Sequence, residues 1–125
     1  MGNSMNIRSM NKEIDMRKEI IELKEELASF NITFKDLVSY SPNNTYTKEV
    51  LLDLAYALVK DDVITSSIND NKLLNVKLIS LRYGTKKRVI KKWKIYITAL
   101  ILILQRDKYI YIKSFLRSLE EDYDE

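Results

Sequence analysis

The chain has 125 residues, 46% of them hydrophobic and 31% charged, with two Gly, one Pro and neither Cys nor His. A domain of that length can bury a real apolar core, and the absent Cys and His exclude a disulfide framework, thiolate metal sites and imidazole acid–base chemistry. The net charge of +3 hides a lopsided distribution: residues 71–106 carry ten Lys or Arg and no Asp or Glu, which leaves the rest of the chain at −7. A cationic segment inside an otherwise acidic chain attracts polyanions and is the usual electrostatic footprint of a nucleic-acid reader.

Leu, Ile, Lys and Glu dominate, a composition that favours helices joined by short connections. The longest apolar run, 99–104, falls far short of the ~20 residues of a membrane span. The start of the chain (Met1, Met5, Met10) is polar and lacks the apolar core of a secretory signal. A soluble cytoplasmic protein is expected, with residues 1–11 disordered or a non-native extension.

Between 12 and 29, Ile14, Arg17, Ile20, Ile21, Leu23, Leu27 and Ala28 recur at intervals of three, four and seven, which predicts an amphipathic helix. Its other face, with Glu19, Lys24, Glu25 and Glu26, reads as solvated surface. Thr33 is placed to cap a short helix through Ser39, with Phe34, Leu37 and Val38 turned inward. Ser41-Pro42-Asn43-Asn44 is a strong break. Thr45 or Thr47 starts a third helix, 48–60, with Val50, Leu51, Leu54, Ala55, Leu58 and Val59 on its buried stripe. Residues 61–72 form a weaker helix containing Val63, Ile64 and Ile68.

The basic stretch begins with a short helix, 76–82, broken at Tyr83-Gly84-Thr85, and a long helix then runs from about 86 to 106. Asp107 is positioned to cap a last helix, 108–119, ahead of the acidic tail 120–125. That tail reads as a solvated end, and more weakly as a competitor of nucleic acid for the basic face. The expected fold is all-α: a compact multi-helix domain over 12–119, with a helix-turn-helix at about 76–104 and a long recognition helix.

A helix-turn-helix needs two steeply crossed helices, a small apolar core and a tight turn with Gly. Relative to Gly84, Ile79 lies five residues before, Ser80 four before and Tyr83 directly before; Ile90 lies six after and Trp93 nine after. Those are spacings at which the two helices bury side chains against each other, and Ser80 is small where they approach. With Ile90, Trp93, Ile97 and Leu100 inward, Lys86, Lys87, Arg88, Lys91, Lys92 and Lys94 point outward. A recognition helix docks its N-terminal part into the major groove, where long donors reach base edges and phosphates. Four cations in its first two turns oppose the helix dipole at ~0.3–1 kcal/mol each, a cost that a polyanion would offset. Thr85 is the expected N-cap. Arg82 and Lys77 suit phosphate better than base edges. Trp93 reads as a core wedge rather than a base-stacking platform, Tyr83 as a ring buried at the turn with its hydroxyl wet, and Tyr96, Tyr109 and Tyr111 as packing residues.

These residues also resemble a known family. Phe34-Lys35-Asp36-Leu37-Val38 followed by Ser41-Pro42 resembles the F-x-D-L-V-x-x-S-P opening of the C-terminal domain of sigma-I-type RNA polymerase sigma factors. The run from Tyr96 to Ile103, YITALILI, is similar to the family's KYIIALALIL stretch. That from Tyr109 to Leu116, YIYIKSFL, is similar to its closing YxYLKSFL-like helix. Order and spacing agree from about Lys12 to Leu119. The resemblance implies the promoter −35-reading domain of an alternative sigma factor from a Clostridium-like bacterium, without the N-terminal domain that contacts the polymerase clamp and the −10 element. It also implies RNA polymerase core as a partner, and inhibition by the cytoplasmic N-terminal domain of an RsgI-type membrane anti-sigma factor. The chain departs from the family's SRKT and ERxRKYI segments: Lys86 replaces the Ser, Lys91 replaces an acidic residue, and Trp93 is unusual. Base preference therefore stays open.

The DNA-binding set is thus Arg82, Thr85, Lys86, Lys87, Arg88, Lys91, Lys92 and Lys94, acting on double-stranded promoter DNA, with no catalytic residue, metal or cofactor. The alternative is a helical protein-interaction module that docks a regulatory partner without sequence-specific DNA binding. An RNA- or ribosome-associated helical protein is weaker, because no RNA-binding signature is present.

Overall fold

The computed structural model describes residues 3–116, and side chains within 11–116. It is all-α, and no strand occurs among the described residues. The helices are α1 (Asn3–Ala28), α2 (Phe34–Ser39), α3 (Thr45–Leu58), α4 (Asp62–Asn71), α5 (Val76–Tyr83), α6 (Lys87–Lys92) and α7 (Lys94–Gln105), followed by α8 (110–116). The acidic tail 120–125 and the end of the expected last helix lie outside the described residues.

Several starts follow from local capping. The Thr33 hydroxyl accepts from Asp36 N–H at 3.0 Å, and the Asp36 carboxylate accepts from Thr33 N–H at 3.1 Å, a reciprocal capping box that fixes α2. Asn44 Oδ1 accepts from Thr47 N–H to open α3, so the cap is neither Thr45 nor Thr47. Asp61 caps α4 and Asn75 caps α5 in the same way. Pro42, after the short α2, is buried.

α7 is the central element. Its residues Ile97, Thr98, Ala99, Leu100, Ile101, Leu102 and Ile103 are all buried, as expected of a helix surrounded by others. It packs against α3 and α2, while α6 leans on α5. Around it gather Leu23 and Leu27 of α1, Leu51, Ala55 and Leu58 of α3, Ile64 and Ile68 of α4, Ile79 of α5 and Ile90 of α6.

The segment expected as one helix from 86 to 106 is divided. Trp93 leaves helical geometry (φ −105°, ψ 19°), serving as the last residue after α6 and the first before α7. No Pro or Gly causes the break. The two parts pack on different partners, and the half-buried Trp93 indole lies against the core at the junction.

α1 differs most from its sequence reading. It is helical from Asn3, across the stretch expected to be disordered or a non-native extension. Its buried positions are Glu19, Leu23 and Leu27, spaced four apart, whereas Ile14 and Ile21 are each 58% exposed and Ile20 is exposed too. Among the described side chains of this helix the buried ones begin at Glu19. Glu19, read as solvated, caps α8 instead of Asp107: Tyr111 N–H donates to both carboxylate oxygens and Ile112 N–H to one, all at 3.0 Å. Glu26 accepts from Arg106 Nε and from the Tyr109 hydroxyl, both at 2.7 Å. α8 is thereby fastened to α1 through carboxylates. Val38 and Val50, expected inside, are exposed, and so is Val63. The short α2 and the starts of α3 and α4 put them on the solvent side of their helices.

Candidate nucleic-acid interface

α5 and α6 form the helix-turn-helix around one glycine. Gly84 adopts φ +70°, a left-handed conformation that ends α5, and its N–H donates to Ser80 O at 3.0 Å. A Cβ built there meets nothing within 4 Å, so backbone conformation rather than crowding calls for glycine. Ile79 and Ile90 are fully buried, one on each helix. Tyr83 and Trp93 are half-buried against the same core, as their spacing from Gly84 requires.

The N-cap of α6 is Lys86, with extended backbone (φ −61°, ψ 136°) and no side-chain hydrogen bond to the first turn. Thr85, the expected cap, therefore lies one residue before that position and does not cap. α6 is six residues long and ends at Lys92, which places Lys94 at the start of α7.

Lys86, Lys87, Arg88, Lys91, Lys92 and Lys94 are all exposed. Among the described residues the ion pairs are Arg82–Asp61, Arg106–Glu26 and Lys108–Glu22, so none of those six cations meets a carboxylate. Lys92 Nζ lies 4.9 Å from the centre of the Trp93 ring, which orients that side chain toward the α6–α7 junction. The basic stretch is thus sorted by role. The half-buried Arg106 is occupied by Glu26 and by Asn69, to whose Oδ1 its Nη2 donates at 3.1 Å. Six others follow directly after the turn, exposed and without a carboxylate partner among the described residues.

Arg82 is the exception within the expected set. Its Nη1 donates to both carboxylate oxygens of Asp61, at 2.9 and 2.8 Å. The Tyr83 hydroxyl, expected to be wet, donates to Asp61 Oδ2 at 2.9 Å. Asp61 also accepts from the N–H groups of Val63 and Ile64. One carboxylate therefore joins the start of α4 to the end of α5. The Arg82 hydrogen bond holds Asp61 below the usual carboxylate range, and burial raises the Tyr83 phenol with help from Asp61. Nothing in the sequence signalled this role for Asp61, because its side-chain partners lie 21 and 22 residues downstream.

Among the described residues no group of His, Cys, Asp and Glu is arranged to hold a metal ion, and no helix is long and apolar enough to cross a membrane. Fold and site together define an all-α helix-turn-helix domain whose second helix begins in free positive charge.

The comparisons with known proteins narrow that class. No protein-family model matches the chain. RNA polymerase sigma factor SigI6 of Acetivibrio thermocellus is 33% identical over a region covering 86% of this chain and 42% of that protein. Sigma factor SigI8 of the same organism is 30% identical (79% and 41%), and sigma factor SigI of Bacillus subtilis 27% identical (82% and 41%). The chain belongs to the SigI-type family of RNA polymerase sigma factors, as a segment consistent with a C-terminal domain of that family, and the Acetivibrio relatives support a Clostridium-like source. It spans about two fifths of the length of these relatives.

Proposed function

We propose that this chain is the promoter-reading domain of an alternative sigma factor, binding the −35 element of double-stranded DNA through α6 and the start of α7. The observation that carries the reading is the unpaired cationic face of Lys86, Lys87, Arg88, Lys91, Lys92 and Lys94 directly after the Gly84 turn. The sigma-factor names of its relatives support the same role. Lys87, Arg88 and Lys91 reach base edges in the major groove, while Lys86, Lys92 and Lys94 hold flanking phosphates. The domain acts with RNA polymerase core in the cytoplasm and performs no catalysis of its own. Resemblance to the family supports an RsgI-type anti-sigma domain as its inhibitor.

The test is selection from a random duplex library, with and without core polymerase, followed by two variants on the selected sequence. Arg88→Ala costs roughly 1–3 kcal/mol on that sequence and relaxes selectivity at one base pair if its contact is bidentate. Lys92→Ala weakens all duplexes alike and flattens the salt dependence. If both variants bind like the wild type, α6 is not the reading helix.

A second reading is favoured by the exposed Ile14 and Ile21 on α1: a module that docks a protein partner. Salt separates the two. An apolar interface survives ~0.5 M salt, and a phosphate-dominated one does not.

A further inference from the structure

Arg82 is the penultimate residue of α5, two residues before Gly84. Its guanidinium uses a single nitrogen, Nη1, for both bonds to Asp61, and among the described residues Nε and Nη2 donate to no acceptor. The side chain is 44% exposed while that of Asp61 is only 9% exposed, so the arginine is the more solvent-exposed member of the pair. A planar guanidinium held at one terminal nitrogen by two carboxylate oxygens loses part of the rotational freedom that an unheld arginine spends on binding, and keeps donors for a second oxyanion.

The anchor is itself fixed. Asp61 is held by the N–H groups of Val63 and Ile64 and by the Tyr83 hydroxyl. It cannot swing away with Arg82 without uncapping α4. The remaining acceptors on this carboxylate are all taken by donors from α4 and α5, so its charge is committed to this junction.

We infer that Asp61 is a positioning residue for DNA binding: it aims Arg82, so that Nε and Nη2 grip a backbone phosphate beside the groove entered by α6. This rests on the DNA-reading function proposed above and deepens it. Arg82 acts while still bound to Asp61, as the middle of a carboxylate–guanidinium–phosphate chain. The alternative outcomes are a purely structural latch between α4 and α5, and a carboxylate that competes with DNA for Arg82.

The experiment measures affinity against salt on a duplex selected by the wild type, for wild type, Arg82→Gln, Asp61→Asn, the double variant and Lys92→Ala. Asparagine keeps a capping oxygen for α4 while removing the charge, and its amide N–H can donate to the Tyr83 hydroxyl oxygen in place of the bond that Tyr83 donated, so Asp61→Asn remains folded; its unfolding temperature is recorded alongside. Arg82→Gln is expected to bind roughly tenfold more weakly and to flatten the salt slope by about 0.9. Asp61→Asn is expected to weaken binding several-fold in the wild-type background but not in Arg82→Gln, because the two act through one contact.

A wild-type salt slope in Arg82→Gln overturns the inference. So does an Asp61→Asn loss that persists undiminished in the double variant, which marks a structural latch, or tighter binding by Asp61→Asn, which marks competition. Lys92→Ala separates the levels. If it flattens the slope and Arg82→Gln does not, only the role of Arg82 falls; if neither does, the DNA reading of α6 falls with it.

Discussion

Replacing Gly84 by Ala isolates the conformational requirement of the turn from every other contribution. The residue sits at φ +70°, and a Cβ there meets nothing within 4 Å. The substitution therefore adds no clash, and the cost is the backbone term alone. An L-residue in the left-handed region is disfavoured by roughly 1–2 kcal/mol. Ala also restricts the unfolded chain, which returns about 0.4–1 kcal/mol. A net loss of about 1 kcal/mol follows, equivalent to a fall of about 4 °C in Tm for a domain of this size. Asn, which tolerates the left-handed region, should lose about half as much. Urea unfolding of Gly84→Ala and Gly84→Asn, with m-values compared to the wild type, measures both. A neutral Gly84→Ala would mean that the turn is not left-handed in solution. A loss above ~3 kcal/mol would mean that the space around Gly84 is not open.

Two further substitutions probe the carboxylates that fasten α8 to α1. Glu19→Ala removes the acceptor shared by the N–H groups of Tyr111 and Ile112. It should cost about 2 kcal/mol by urea unfolding, with Glu19→Gln intermediate because one oxygen remains. Tyr109→Phe removes the bond to Glu26 from a fully buried ring and should cost about 1–3 kcal/mol at neutral pH. Burial, with Glu26 adding to it, raises the Tyr109 phenol above its ordinary value of 10.0. Its stabilising contribution is therefore complete below about pH 10 and is lost as pH rises toward the folded-state value. Wild type should lose stability more steeply than Tyr109→Phe above pH ~10, and parallel alkaline unfolding curves would refute this.

What the sequence revealed was whatever depends on near neighbours. Thr33 announces α2 because its cap partner is three residues away, and Gly84 announces the turn because a left-handed residue after an apolar stripe has few other uses. The inward faces of α5 and α6 follow from Ile79 and Ile90 counted from that glycine. Where pairing is distant, the letters are silent. Glu19 looks like a surface acid because its donors, Tyr111 and Ile112, lie 92 and 93 residues downstream. The isoleucines of α1 outnumber its leucines in the periodic pattern, yet Leu23 and Leu27 are buried while Ile14, Ile20 and Ile21 are exposed, because the side of the helix that meets the core is set by partners far along the chain. The break at Trp93 is equally hidden. It arises from two packing partners, not from a residue that refuses helical geometry.

That break also revises the electrostatics of the candidate interface. A single helix from 86 to 106 would set every early cation against the dipole of its N-terminus. α6 instead ends at Lys92, with Lys91 and Lys92 in its last turn, where the dipole favours positive charge. Only Lys86, Lys87 and Arg88, at its start, and Lys94, at the start of α7, remain opposed. The dipole thus contributes less strain than the sequence suggests. Mutual repulsion among six unpaired cations remains, because no acidic residue lies between 71 and 106. A carboxylate on this face would relieve that repulsion in the free protein and would meet phosphate in the complex. Its absence, together with the pairing of Arg82 and Arg106 with Asp61 and Glu26, concentrates the unpaired charge of the basic stretch between Lys86 and Lys94, where six of its eight cations without a carboxylate partner among the described residues lie.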